Sequence, residues 1–415
     1  MSSVLPMRGA IDCDVAVAGG GVVGAALAAI LASRGLRVAL IERSEPTPLK
    51  TVLHYDPRVF ALTRSSENVL RAVDAWRHIG KEHLGVFRKM SVWDAAGPGA
   101  IHFDSAEICE PALGYIVENR VIQEALNEAL SAYPSAVWYR PAKVTGLEWR
   151  TDRIELRLDD DRRLSARLLV GADGAHSSIR TMAGISTRTK DYQHTALVCT
   201  VGTERPHGET ARQRFLSSGP LAFLPLGDPH RCSIVWSTSP SHAQSLLALS
   251  EEAFCTALEE AFASVLGRIV ETGPRAAFPL LRAHADCYVK PRLALVGDAA
   301  HRIHPLAGQG ANLGLMDAAT LAEVVLGASD KGQDIGEPLV LRRYERWRRG
   351  ENLAMITLMG GFKDLFGTGF WPVVWARNVG LILTDKAPLL KHWLIRRAMG
   401  LQGDLPRLAS VSPSP

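Results

Sequence analysis

Three short stretches of this chain combine residue types and spacings that can do chemistry. The first is Gly19-Gly20-Gly21-Val22-Val23-Gly24, a G-x-G-x-x-G run. Its first glycine suits a tight turn, its second lets a pyrophosphate approach the backbone, and its third lets a helix pack closely on a strand. Glu42 follows, 18 residues after Gly24, placed to accept hydrogen bonds from ribose hydroxyls. An acid there favours an adenosine 2′-hydroxyl over a 2′-phosphate, so the site suits FAD or NAD. The second stretch is Gly171-Ala172-Asp173-Gly174, running into Ser177 and Arg180. The third is Gly297-Asp298-Ala299-Ala300-His301, continued by His304-Pro305-Leu306-Ala307-Gly308-Gln309-Gly310. A carboxylate at Asp298 suits a polyol such as ribitol. A helix opening at Gly308-Gln309-Gly310 would turn free N–H groups and its positive dipole end toward a developing anion.

The glycine pattern alone is weak, arising by chance about 0.3 times in a chain with 36 glycines among 415 residues. Its flanks give it strength. Asp14–Ala18 is a continuous apolar run, as in a strand buried on both faces of a parallel sheet. Ala25–Ser33 reads as a helix closed by Gly35, and Arg37–Ile41 as the next strand. Arg167–Val170 and Leu293–Val296 are further buried strands, each leading into one of the other motifs, and a helix is expected from about Ala311 to Gly327. Between Asp191 and Ala283, alternating segments such as Leu197–Val201, Leu221–Leu226 and Cys232–Trp236 predict an antiparallel sheet. That sheet is a candidate roof over a substrate. Phe215, Phe223, Leu224 and Trp236 are candidates to line it, with ordinary core packing as the other reading of each.

Composition excludes several classes. At 47% hydrophobic and 22% charged, the chain is that of a globular protein rather than a disordered, collagenous or polytopic membrane one. Val15–Ala32 is an 18-residue run without a charge, but acids precede it and three consecutive glycines break it. Each glycine would cost an apolar helix about 1 kcal/mol, so strand, turn and helix fit better than a signal or membrane segment. Six cysteines at least 23 residues apart give no C-x-x-C pair, and no H-E-x-x-H appears, so a metal centre is not expected. The same spacing is that of reduced thiols in a cytoplasmic protein. The formal charge of +4 is uneven: Leu341–Pro415 holds 12 Lys/Arg against 5 Asp/Glu, and the rest 35 against 38. That tail mixes Trp371, Trp375 and Trp393 with Lys and Arg on helical segments, as interfacial helices do, though a solvated basic face reads the same way. No nucleic-acid module accompanies the charge.

The motifs G-x-G-x-x-G with Glu42, G-A-D-G-x-x-S-x-x-R at Gly171–Arg180 and G-D-A-A-H…P-x-x-G-Q-G at Gly297–Gly310 resemble, in order and separation, those of the flavin hydroxylases of the p-hydroxybenzoate hydroxylase fold. Asp56–Leu62, Tyr115–Arg120, Asp191–His194, Leu221–Leu226 and Leu341–Arg346 narrow the likeness to the ubiquinone-biosynthesis hydroxylases, over nearly the whole chain. The resemblance implies an α/β fold: a Rossmann-like FAD-binding domain, an inserted substrate domain with a mixed or antiparallel sheet, and a C-terminal helical region. The expected divisions are residues 1–72, 112–183 and 286–330 for FAD, 73–111 and 184–285 for substrate, and 331–415 for the helices. Gly19, Gly21 and Gly24 would hold the FAD pyrophosphate and Glu42 the adenosine ribose, with Arg43 beside it. Asp298 would bind the ribityl chain. Gly308, Gln309, Gly310 and Ala311 would meet the pyrimidine edge of the flavin, with Asn312 next in line. Pro305 would lie by the reactive carbon, so that Pro305, Gly308 and Gly310 form a flavin-positioning loop without an amino-acid nucleophile. Asp173 and Arg180 belong to a motif tied to both FAD and reductant, and Arg58 with Asn119 or Arg120 matches positions that touch the flavin.

The implied reaction reduces FAD with NAD(P)H, forms a flavin C4a-hydroperoxide with O2 and hydroxylates a polyprenylated phenol or quinol. The expected step takes 2-octaprenylphenol to 2-octaprenyl-6-hydroxyphenol, with another ring carbon as the alternative. Only one dinucleotide fingerprint is present, so NAD(P)H is a transient visitor. Expected surroundings are the cytoplasm, with peripheral attachment through 341–415 to the inner face of the membrane, and a multi-enzyme ubiquinone-synthesis complex. Two competing readings are a halogenase, which would want a W-x-W-x-I-P segment absent here, and a catalytically idle FAD-binding scaffold. His301 and His304 flank the third motif and read either as backbone-bonded loop residues or as catalytic groups.

Overall fold

The alternation of short apolar runs with glycine turns resolves, in a computed structural model describing residues 11–46, 55–302 and 309–410, into two large sheets and a small third one. The first sheet is built on Cys13–Ala18, paired in parallel with Val38–Ile41 on one side and Arg163–Gly171 on the other. Ala136–Tyr139 and Leu293–Leu295 extend it in parallel at either end. These strands read as continuous Val, Ala and Leu because both faces are covered. The Val22–Ser33 helix packs against Asn119–Ser131 and Gln309–Ser329. The Gly310–Ser329 segment is long and apolar enough to cross a membrane, yet 78% of its most apolar window is buried in the fold, as a core helix would be.

The second sheet has nine strands, mostly antiparallel; Thr210–Leu216 and Lys89–Asp94 pair in parallel. Its two faces have different covers, and the period of two decides which side chain meets which. Leu197, Cys199, Phe223, Ile234 and Trp236 pack on Phe254, Leu258 and Phe262 beneath the helices Pro240–Ala248 and Glu251–Ala261. Phe223 stacks on Phe262 with ring centroids 3.8 Å apart. Ala211, Ala222 and Leu224 occupy the opposite face and meet Ala61 and Ile116 of the three-stranded sheet Val59–Leu62, Gly114–Glu118 and Gly85–Phe87. The four expected lining residues therefore divide. Phe223 and Trp236 are core residues under the outer helices, because a one-residue step in a strand reverses the face. Leu224 faces the three-stranded sheet, and Phe215 is stacked on Phe366 at 3.8 Å.

The C-terminal region is woven into both sheets. The 30-residue helix Pro338–Gly367 begins at the first sheet, where the Tyr344 hydroxyl donates to the Leu295 carbonyl at 2.8 Å. It passes Asp317 and Leu313 of the Gln309–Ser329 helix and ends with Phe366 on the second sheet. Trp371–Asp385 is anchored by a buried Arg377–Asp94 pair (Nε–Oδ2 2.6 Å), and Pro388–Ala398 by Lys391 with Glu107 (2.8 Å). Thus the basic surplus of the tail is partly interior: Arg348 and Arg377 are buried ion-pair partners, not surface charge.

Candidate functional site

All three motifs follow the C-terminal ends of neighbouring parallel strands, the edge at which open α/β sheets bind ligands. Backbone bonds hold the loops side by side: Gly19 N–H to Ile41 O at 2.8 Å, Ala172 N–H to Ala18 O at 2.7 Å, and Val296 N–H to Gly171 O at 3.0 Å. Gly19 has φ +109°, and a β-carbon there would lie 2.3 Å from the Ala172 carbonyl oxygen. A β-carbon on Gly24 would lie 1.9 Å from Gly19 O. Backbone contact between turn and helix therefore demands these glycines. Gly21 is the N-cap of Val22–Ser33 with no side-chain cap, which leaves first-turn N–H groups for an anion. Glu42 Oε2 accepts from Gly20 N–H at 2.7 Å, fixing the carboxylate over the glycine turn, and Arg43 beside it is exposed.

The second motif builds the cleft by bracing it. Asp173 accepts from Ser177 Oγ (2.5 Å), Ser178 Oγ (3.1 Å) and Ile179 N–H (3.1 Å), so its carboxylate braces the first turn of the Ser178–Met182 helix, whose N-cap Ser177 accepts from Arg180 N–H (2.9 Å). Arg180 donates to the carbonyls of Ala299 (2.8 Å) and Ala175 (2.9 Å), tying this motif to the Asp298 loop. The motif implies contact with FAD and reductant for both, and in the fold their polar atoms also brace the loops. Arg120 likewise points at buried Glu118 (Nε–Oε2 3.1 Å). Arg58 is exposed, and its carbonyl accepts from Asn119 N–H at 2.9 Å. Asn119 is the one beside the turn, through Gln123: its Nδ2 reaches Gln123 Oε1 at 3.4 Å, and Gln123 Nε2 lies 4.0 Å from where a Gly21 β-carbon would be. Gln123 is absent from the motif reading because it belongs to none.

Asp298 is exposed, with no hydrogen bond among the described residues. Protein surrounds it closely enough that desolvation lifts its pKa above the ordinary carboxylate value, against the pull of His301 and Arg302. A carboxyl held without a protein partner at a strand's C-terminal end fits a ligand hydroxyl. Gln309, Gly310 and Ala311 begin the helix that follows, and a β-carbon on Gly310 would meet nothing. Pro305, Gly308 and His304 lie outside the described residues. Asn312 does not turn outward: Oδ1 accepts from Thr63 N–H (3.0 Å) and Ser66 Oγ (2.7 Å), and Nδ2 donates to Ala61 O (2.8 Å). Its side chain locks the helix start to the N-terminus of Arg64–Ala72.

Asp317 was missed in the sequence and organises the back of the site. Oδ2 accepts from His301 Nε2 (2.5 Å) and Gly297 N–H (3.1 Å), Oδ1 from Arg348 Nε (2.9 Å) and Asn352 Nδ2 (3.1 Å), and all four side chains are buried. Burial pushes the Asp317 pKa up, but His301 and Arg348 outweigh it and bring it to about 2. His301 is therefore a buried partner of a buried anion, with no ring-to-backbone bond among the described residues. The available signal is a carboxylate flanked by Leu315, Met316, Ala318 and Ala319 in a helix whose only other acid is Glu323, and a carboxylate so flanked must find partners to be buried. Among the described residues, no cluster of three or more His, Cys, Asp or Glu could hold a metal ion.

The glycine cradle, Glu42 and the unpartnered Asp298 carboxyl fit FAD. When bound, FAD supplies reduction by NAD(P)H and activation of O2. Fold and site together define an FAD-binding α/β protein. Residues 12–355 match the family described as FAD binding domain. The chain is 39% identical over 417 residues to ubiquinone hydroxylase UbiL of Rhodospirillum rubrum, covering 99% of this chain and 96% of that protein. It is 37% identical over 388 residues to 3-demethoxyubiquinol 3-hydroxylase of Escherichia coli, covering 94% and 98%. The structure of PqsL from Pseudomonas aeruginosa with 2-aminobenzoylacetate shares the fold, with TM-score 0.75 at 22% identity over 89% of this chain and 99% of that one. The chain belongs to the FAD-binding-domain family and, within it, to the ubiquinone-biosynthesis flavin hydroxylases.

Proposed function

We propose that this enzyme hydroxylates a ring carbon of a polyprenylated phenol or quinol in ubiquinone biosynthesis, with 2-octaprenylphenol to 2-octaprenyl-6-hydroxyphenol as the first candidate step. The carrying observation is a likeness to a ubiquinone hydroxylase that runs through 99% of the chain. Hydroxylation at another ring carbon is the second reading, favoured by the name of the Escherichia coli relative. On this reading the protein's own tasks are positional. The glycine turn and Glu42 grip the adenosine half, Asp298 the ribityl chain, and the N–H groups opening the Gln309–Ser329 helix stabilise negative charge on the reduced ring. Preorganised donors of that kind are worth about 2.7–4 kcal/mol each in oxyanion-type sites.

The same proposal puts the enzyme on the cytoplasmic face of the membrane. Phe370, Trp371, Trp375, Leu389 and Trp393 are all more than half exposed on the last helices, and Lys386, Arg396 and Arg397 are exposed beside them. Such helices lie in an anionic interface. Quinone-intermediate profiling by mass spectrometry in cells lacking the protein tests the step. Accumulated 2-octaprenylphenol supports the first candidate, a later hydroxylated or methylated intermediate supports the second, and an unchanged profile counts against both.

A further inference from the structure

A groove of roughly 510 Å³ runs between the Trp371–Asp385 helix and the second sheet, walled by Pro98, Phe366, Val374, Val379 and Ile382. Trp371 and Trp375 stand along it, 75% and 65% exposed. The charged pair at its base is satisfied internally. Arg377 donates to Asp94 and to the carbonyls of Leu365, Phe366 and Thr368, and Asn378 Nδ2 donates to Asp94 Oδ2 at 2.8 Å. The groove therefore offers aliphatic and aromatic surface, with its cation and anion already matched to each other.

Ser217, Phe366, Gly367 and Thr368 also border a second recess of roughly 340 Å³, which reaches Phe215 and Pro220. By strand register these two residues share the sheet face of Ala222 and Leu224, the face that meets Ala61, whose carbonyl accepts from Asn312 at the start of the Gln309–Ser329 helix. The long helix gives the scale. Ile356 packs on Leu313 near the start of the Gln309–Ser329 helix, and Phe366 lies ten residues further on, about 15 Å at 1.5 Å per residue. Two adjoining recesses, the inner one of mixed lining with His194 and Asp364 on its wall and the outer one apolar, thus lead from a point about 15 Å beyond the start of the Gln309–Ser329 helix out to exposed tryptophans.

We infer that this trough holds the isoprenoid tail of the substrate, ring inward at the cofactor and far end leaving past Trp371 and Trp375 toward lipid. The assignment rests on the prenylated substrate proposed above. A linear, uncharged chain is what matches the direction of the trough and the apolar lining of its outer groove. Val379→Trp fills the groove away from the Arg377–Asp94 pair, and Ile382→Phe is a milder filling in case the first disturbs folding. With the purified holoenzyme, kcat/KM for 2-alkenylphenols carrying one to four isoprene units is expected to rise with tail length in the wild type and to lose that rise, by about tenfold or more, in the variants. Calorimetric titration with geranylgeraniol reads the trough without turnover, and its binding is expected to weaken by a similar factor. Wild-type turnover indifferent to tail length, or equal geranylgeraniol binding by wild type and folded variants, would overturn the assignment. If the wild type turned over no prenylphenol while Val379→Trp still abolished geranylgeraniol binding, the proposed reaction would fall and the trough would stand.

Discussion

Arg348→Met tests whether the buried anion behind the cofactor loop is a structural anchor. Arg348 is 1% exposed and places Nε 2.9 Å from Asp317 Oδ1, while its other nitrogens reach Glu351 (2.5 Å) and Asn352 Oδ1 (2.9 Å). Methionine retains most of the stem's volume and removes the charge. The Asp317 carboxylate, wholly buried, then keeps His301, Gly297 N–H and Asn352 but loses its permanent cation. Breaking one side of a buried pair costs about 3–5 kcal/mol. An unfolding entropy of about 2.1 cal/mol/K per residue gives roughly 0.9 kcal/mol/K for 415 residues, so Tm should fall by about 3–6 °C. Calorimetry of apoprotein measures this without cofactor linkage, and a flavin titration should show weaker binding, because Gly297 precedes Asp298. In Asp317→Asn/Arg348→Met the uncharged amide no longer needs the guanidinium, so the double variant should lose less than the sum of the singles. A cost below about 1 kcal/mol for Arg348→Met, or additivity within about 0.5 kcal/mol, would refute the anchor.

Further outcomes follow from other parts of the site. Asp298→Ala should purify largely colourless, since among the described residues the carboxyl makes no hydrogen bond that the variant would lose; full absorbance near 450 nm would contradict its assignment. Gly24→Ala drives a β-carbon into Gly19 O and should abolish flavin retention, read by the same absorbance, whereas normal flavin content would show that the turn yields. His284 is buried beside His301 and Tyr288; desolvation first, then His301 and Arg349, lowers its pKa from 6.5 to about 4. A depressed folded pKa contributes stability that is present above the unfolded value and lost as pH falls, here from about 6.5 toward 4. Denaturant unfolding should show that loss, and His284→Gln should flatten that part of the profile; an identical slope in the variant would remove His284 from the account. Trp371, Trp375 and Trp393 replaced together by Ser should reduce sedimentation with anionic vesicles while leaving flavin content intact. Unchanged sedimentation would return these tryptophans to ordinary surface.

Legibility in the sequence followed from how local each constraint is. The strand, glycine turn, helix and strand from Cys13 to Ile41 were readable because backbone contact permits only glycine at Gly19 and Gly24, and because buried parallel strands carry no polar alternation. Asp298 was readable as a carboxylate at a strand end. Asp173, Arg180 and Asn312 were readable as motif members, yet their side-chain roles depend on Ser177, Ala299 and Thr63, which only the fold brings near. Phe223 and Trp236 show the same limit in another form: alternation marked the strands but not which face meets the cofactor domain. Asp317 with Arg348 and Asp94 with Arg377 join residues 31 and 283 positions apart, so their pairing left no mark in either neighbourhood. The tail's charge count overstates its surface charge for that reason, since Arg348 and Arg377 are interior.

The central claim is that this fold transfers oxygen to a prenylated ring. Purified yellow protein should oxidise NAD(P)H faster when 2-octaprenylphenol or a shorter prenylphenol is added, and under labelled dioxygen the phenol should gain one labelled oxygen atom. Flavin-loaded enzyme showing neither stimulation nor label incorporation with any prenylphenol would contradict the account and leave an FAD-binding scaffold in its place.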